Sequence, residues 1–196
     1  MKSVYNFVVT PKGERYNNKK KIGESELILN TEIFNHQYVN REATVISTPI
    51  IGETDIKAGD TVIVHHNIFR RWHNIRGEEK NSKSFFNEST YFITKDQIFL
   101  YKRNKNWSCP KGYCFIQPIR DTDKFNIETE KPFMGVVKYS DGTVNVGDIV
   151  GYRPKTECEF IVDNIRLYRI LSNLITIKYE HQANQETYNP SWAQSG

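Results

Sequence analysis

Lys57-Ala58-Gly59-Asp60-Thr61-Val62-Ile63-Val64 is answered by Asn145-Val146-Gly147-Asp148-Ile149-Val150-Gly151-Tyr152, at an offset of 88 residues. Each stretch is a polar approach, a Gly-Asp pair and a β-branched run, which reads as a turn delivering a strand. Two further matches flank it in the same order. Tyr5-Asn6-Phe7-Val8-Val9-Thr10-Pro11 is echoed by Gly112-Tyr113-Cys114-Phe115-Ile116-Gln117-Pro118 at an offset of 107, and the run from Tyr91 to Leu100 by the run from Tyr168 to Ile177 at an offset of 77. The falling offset means that the first copy is longer in both intervening segments. A repeat of this kind is read before any fold is assigned, and it divides the 196 residues into two small domains.

The patterning inside each copy is that of strands. No stretch holds a 3.6-residue apolar period for more than two turns. Strands are predicted over residues 4–10, 43–51 and 61–66, and in two short pieces over 91–102. In the second copy they fall over 113–119, 133–139 and 148–152, then in a hairpin over 157–169 turning at Asp163-Asn164, and over 174–180. The fold class is all-β, with two small barrels in tandem. The first domain is placed at residues 1–103 and the second at 111–180. Residues 103–111 are the junction, and 181–196, rich in Gln, Asn and Ser, are a tail. The first domain carries a long mobile loop over about residues 11–43, polar and basic over 12–25 and then bearing Leu27-Ile28-Leu29. It also carries an insertion over about residues 67–88, which opens on Phe69-Arg70-Arg71-Trp72-His73.

Composition narrows the function classes. Lys and Arg number 27 against 23 acidic residues, a net charge of +4, too mild to demand a nucleic-acid partner. Three cysteines form no disulfide framework and suit a reducing cytoplasm. Met1-Lys2-Ser3-Val4 lacks the apolar core of a secretory signal. No apolar run approaches the roughly 18 residues of a membrane span, so a cytoplasmic protein without a membrane partner is expected. Cys109 and Cys114 are spaced one residue too widely for a zinc pair. His65 and His66, as neighbours on a strand, should face opposite ways. No metal site and no cofactor are expected. No Gly-rich phosphate loop and no nucleophile–base array stand out, so an enzyme is not expected. Phe69, Arg70, Arg71 and Trp72 mix cations with aromatic rings. Single-stranded nucleic acid can use such a mixture, but so can a protein interface, and the interface is the favoured reading.

The order of the elements resembles the chaperonin-10 (GroES) co-chaperonin family. A first strand ends near a proline, a mobile loop carries an aliphatic triplet, and a Gly/Thr-Val-Val strand precedes a Gly-Asp turn, a hairpin and a terminal strand. Copy one supplies Val8-Val9-Thr10-Pro11, Leu27-Ile28-Leu29, Thr44-Val45-Ile46, Ala58-Gly59-Asp60-Thr61-Val62 and Asp96-Gln97-Ile98. Copy two supplies Phe115-Ile116-Gln117-Pro118, Gly135-Val136-Val137, Val146-Gly147-Asp148-Ile149-Val150 and Asn173-Leu174-Ile175. The resemblance covers most of residues 4–180. It implies GroES-like barrels and a homo-oligomeric lid on a GroEL-type chaperonin ring, where Leu27, Ile28 and Leu29 make the contact and a client protein folds inside. Members of the family include tandem-domain forms and forms encoded by tailed phages for folding a capsid protein in the host cytoplasm. Two departures stand against a plain lid. Copy two has no triplet between Pro118 and Gly135, and copy one carries the 67–88 insertion. They suit an alternative of another class, a non-enzymatic phage structural or virion-assembly protein built from the same barrel.

Overall fold

The Gly-Asp pairs form the same corner twice. Gly59 and Gly147 both have φ of +92°, a region that glycine enters without penalty. Val45 donates its amide to the Asp60 carbonyl at 2.9 Å and accepts the Gly59 amide at 2.8 Å; Val137 does the same with Asp148 at 2.9 Å and Gly147 at 2.8 Å. The aspartate carboxylate then caps its own turn, taking the Lys57 amide at 2.8 Å in one copy and the Asn145 amide at 2.9 Å in the other.

Around these corners the computed structural model, which describes residues 3–17, 19–28, 38–122, 130–180 and 185–194, is all-β with antiparallel sheets. The chain divides into two compact units, Met1–Trp107 and Ser108–Gly196. The first is built from β1 (Phe7–Pro11), β2 (Lys19–Ile22), β3 (Ser25–Ile28), β4 (Glu42–Ser47), β5 (Thr61–Val64), β6 (Arg71–His73), β7 (Glu79–Asn81), β8 (Phe85–Asn87), β9 (Thr90–Ile93), β10 (Ile98–Arg103) and β11 (Asn106–Ser108). The second holds β12 (Tyr113–Arg120), β13 (Glu130–Tyr139), β14 (Ile149–Tyr152), β15 (Cys158–Val162), β16 (Ile165–Leu171) and β17 (Ile175–Tyr179).

The main sheet of the first unit runs β11-β10-β5-β4-β1-β9-β8, and that of the second, read from its other edge, runs β17-β14-β13-β12-β16-β15. Apart from β11 the two orders are identical strand for strand. The register agrees as well: Phe7, Val8 and Val9 face Ile93, Phe92 and Tyr91 as Cys114, Phe115 and Ile116 face Ile170, Arg169 and Tyr168. The bulge between Val8 and Val9 recurs between Phe115 and Ile116. Both cores follow: Val9, Val45, Val62, Val64, Tyr91 and Ile93 occupy the places of Ile116, Val137, Val150, Tyr152, Tyr168 and Ile170.

Two sequence readings change. Thr44-Val45-Ile46 does not match Gly135-Val136-Val137; Pro11 pairs with Ala43 where Pro118 pairs with Gly135, so the true match is one residue earlier. A one-residue slip exchanges the two faces of a strand; the corrected match puts Val45 and Val137 both in the core. Gly135 stands where the strands come closest, since a Cβ there would lie 2.3 Å from Ile116 Cγ2 and 2.5 Å from the Gln117 carbonyl oxygen. The boundary between the units, Trp107 to Ser108, falls inside the expected 103–111 junction, where Asn104 (φ 49°) and Lys105 (φ 72°) form the left-handed turn of a hairpin. Much of the tail is docked: Tyr188 donates its amide to Pro118, Arg120 donates its amide to Glu186, and Ala193 is buried. The Asp163-Asn164 turn is present as expected, with both residues at positive φ.

Asp60 is almost fully buried and receives Arg103 through Nε at 3.0 Å and Nη2 at 2.6 Å. Burial alone would raise its pKa, but the Arg103 bond and the Lys57 amide outweigh this and hold it below 3.8. A depressed carboxylate lends stability above its ordinary value that is lost as pH falls through the folded one. Asp60→Asn is therefore expected to cost about 1–3 kcal/mol at neutral pH and to flatten the loss of stability below pH 3.8. Urea unfolding of both proteins from neutral to acid pH checks this; equal acid slopes would refute it.

Candidate functional site

The two longer segments of the first unit hold each other in place. Arg15, read as part of a solvated loop, is nearly buried. It donates from Nε to the Phe69 carbonyl at 3.2 Å and from Nη2 to Asn81 Oδ1 at 2.8 Å. Its guanidinium lies over the rings of Phe85 and Tyr91 at 5.3 and 5.6 Å. Tyr16 is buried beside it and accepts the Arg71 amide at 2.7 Å. The start of the predicted mobile loop is thus fastened to the insertion, and only part of residues 11–43 can act as a free arm. The signal was in the sequence: an aromatic residue alone in a polar run needs something to pack against.

Past that anchor, β2 and β3 pair as a separate two-stranded hairpin, with Lys20 opposite Leu27 and Lys19 opposite Ile28. Leu27 and Ile28 are 51% and 55% exposed, a costly place for two aliphatic side chains unless a partner covers them. Leu29 lies outside the described residues.

The insertion does not supply its four residues as one surface. Phe69 is wholly buried in the core, edge-on to Tyr91 at 4.8 Å, so it cannot belong to an exposed interface. An aromatic ring next to a strand end fills the space above that strand before it serves any partner. Arg70 and Arg71 are half-buried, and Arg71 pairs with Glu79 at 3.3 Å. Trp72 is partly exposed on the β6–β7 hairpin, whose tip bears the fully exposed Ile75, and Phe86 is exposed nearby in sequence. Sequence reading passed over Ile75 and Phe86.

Other chemistry-bearing residues resolve into structure. His65 and His66 follow β5, and their rings stack at 4.3 Å instead of facing opposite ways. No cluster of metal-ligating side chains occurs among the described residues. Cys114 sits against Ser172 Oγ at 3.4 Å, and Ser172 donates to Asp141 at 2.9 Å. Cys114 and Ser172 are buried and Asp141 is half-buried, and Asp141 also takes the Gly112 amide at 2.7 Å. It fastens the turn after β13 to β12 and β16. Burial would raise the pKa of Asp141, but its bonds to Thr143, Gly112 and Ser172 hold it below the usual carboxylate value. Lys12, Lys57, Lys102, Arg103 and Lys105 line an open hollow of about 580 Å³, in which Arg103 is committed to Asp60 and Lys12 to Glu42. No helix among the described residues is long and apolar enough to cross a membrane.

No family model and no curated protein matches the chain.

The division of the insertion into core and surface has a direct consequence. Phe69→Ala should destabilise the protein by about 3–5 kcal/mol, whereas Trp72→Ala and Ile75→Ser should each cost under about 1 kcal/mol. Equilibrium unfolding of the three variants checks the assignment; a small cost at Phe69 would contradict it.

Proposed function

We propose that the chain is a non-enzymatic co-chaperonin, a GroES-like lid that engages a chaperonin ring through Leu27 and Ile28 and encloses a folding client. One observation carries the reading: the unit that repeats strand for strand bears, in its first copy and, among the described residues, in that copy alone, a separate hairpin that holds two neighbouring aliphatic side chains out to solvent. Covering a whole Leu or Ile side chain is worth about 1.5–3 kcal/mol; here roughly half of that remains to be gained per residue. Such a contact is weak alone. Pairing of β2 with β3 lowers the ordering cost that a coil would meet on binding. Several loops presented by one oligomer would convert later contacts into intramolecular ones. Weak single contacts also suit a lid that must release. Covalent chemistry has no part in this reading.

A second reading is favoured by the same hairpin. A hydrogen-bonded β2–β3 pair with an exposed aliphatic edge is also a surface for permanent assembly. In that case the chain is a phage structural or virion-assembly protein, and Trp72, Ile75 and Phe86 extend its contacts.

Capture by purified chaperonin with and without ATP separates the two. The wild-type chain should be retained in a nucleotide-dependent way, and a Leu27→Ser, Ile28→Ser, Leu29→Ser variant should lose at least about tenfold in retention, as expected for a lost 1.4 kcal/mol or more. Failure of the wild-type chain on several chaperonins, that of its natural host included, would reject the lid and send the search to virions and assembly intermediates.

A further inference from the structure

Tyr168 of β16 and Tyr91 of β9 hold the same place in the repeat, but the space above them differs. Over Tyr91 the insertion lays Phe69 and Phe85, edge-on at 4.8 and 5.6 Å, and the ring is wholly buried. The second unit has no such insertion. Above Tyr168 opens a cleft of about 700 Å³ lined by Glu130, Phe133, Tyr152, Glu157, Tyr188 and Trp192 among others. That volume lies in the range of ligand sites.

The floor is locked. Arg166 donates from Nη1 to Glu130 at 2.6 Å and from Nε to Glu159 at 2.7 Å, and it also bonds the Tyr168 hydroxyl. Tyr168 donates in turn to Glu130 at 2.7 Å. All three nitrogens of Arg166 and both oxygens of Glu130 are therefore engaged. What stays open is Tyr152 and Glu157. Tyr152 is only 6% exposed and lines the cleft, yet among the described residues its hydroxyl has no hydrogen-bond partner. Burial first, and then the carboxylates of Glu157 and Glu130, push its ionisation well above the ordinary range, so it stays a neutral donor and acceptor. Glu157 holds the Thr156 amide at 2.8 Å on one carboxylate oxygen and has no ion-pair partner among the described residues. Glu130 and Glu159 are thus taken up by Arg166, which leaves Glu157 as the lining carboxylate with no ion pair among the described residues.

The walls indicate the ligand. Trp192 is 53% exposed, and Phe133 and Tyr152 meet edge to face at 6.3 Å. These rings already hold guanidinium groups of the chain itself: Arg166 lies over Trp192 at 5.8 Å and over Tyr168 at 4.8 Å, and Arg120 over Tyr188 at 5.7 Å. Aromatic faces beside an unpaired carboxylate attract an organic cation, and the long apolar stem of Arg or Lys covers such rings while its head stays polar. We propose that this cleft is a binding site for a basic side chain of an extended peptide, Arg above Lys, with the stem on Phe133 and Trp192 and the charged head between Glu157 and the Tyr152 hydroxyl.

This site contains none of the hairpin residues, so it stands or falls apart from the lid reading. The test is a titration of the full-length protein with capped Ala-Pro-Arg-Pro-Ala peptide, followed by the indole N–H resonance of Trp192, assigned with Trp192→Phe. The Lys, norleucine and Glu analogues run beside it. The expected result is a saturable shift with the Arg peptide and weaker binding of Lys. Norleucine and Glu should give none, and Glu157→Gln, which keeps the wild-type spectrum elsewhere, should weaken binding about tenfold, the loss of one charge-assisted contact. No saturable shift at millimolar peptide, equal binding of the norleucine analogue, or an unchanged affinity in Glu157→Gln would overturn the proposal.

Discussion

A carboxylate that closes its own turn is the constraint on which both units depend. Asp60 and Asp148 each take an amide from three residues back, and the glycine before each carries the positive φ that lets the chain double onto the preceding long strand. That hook fixes β5 against β4 and β14 against β13. With those pairs fixed, one register along the central strands sets which of their side chains face the core. The near identity of the two corners, in units that share few side chains, says that backbone geometry is repeated here and surface chemistry is not.

The surfaces diverge because each unit solves one local problem differently. A tyrosine at the same place in β9 and β16 leaves apolar space above it. The first unit closes the space with Phe69 and Phe85 from the insertion and lays Arg15 across the rings. The second puts its own Arg166 there and leaves the rest open. The larger Tyr152, standing where the first unit has Val64, narrows the gap without filling it. An insertion that looked like an appendage is therefore core material for its own unit, and its absence makes a cleft in the other.

How far the sequence could be read depended on the range of the interactions involved. Strand identity and turns were legible because they rest on neighbours a few residues apart: the Gly-Asp corners, the Asp163-Asn164 hairpin and the β-branched runs. The site was only half legible. Leu27 and Ile28 stood out as aliphatic residues in polar surroundings, and they are exposed. Phe69 stood out for the same reason, yet it is buried, since nothing in a local window tells whether an aromatic ring beside a strand faces the core or solvent. Arg15 and Tyr16 were passed over because their partners, Phe69, Asn81 and Arg71, lie more than fifty residues away.

The sequence by itself determined that the chain is all-β and that one unit occurs twice, because period-two patterning and glycine-dependent turns are local properties that survive in any context. Only the tertiary structure decided the one-residue register of β4 against β13, which aromatic residues are core and which are surface, and where an open cleft remains. Those outcomes depend on which distant segment fills a given volume, and volume is a property of the packed chain rather than of any stretch within it.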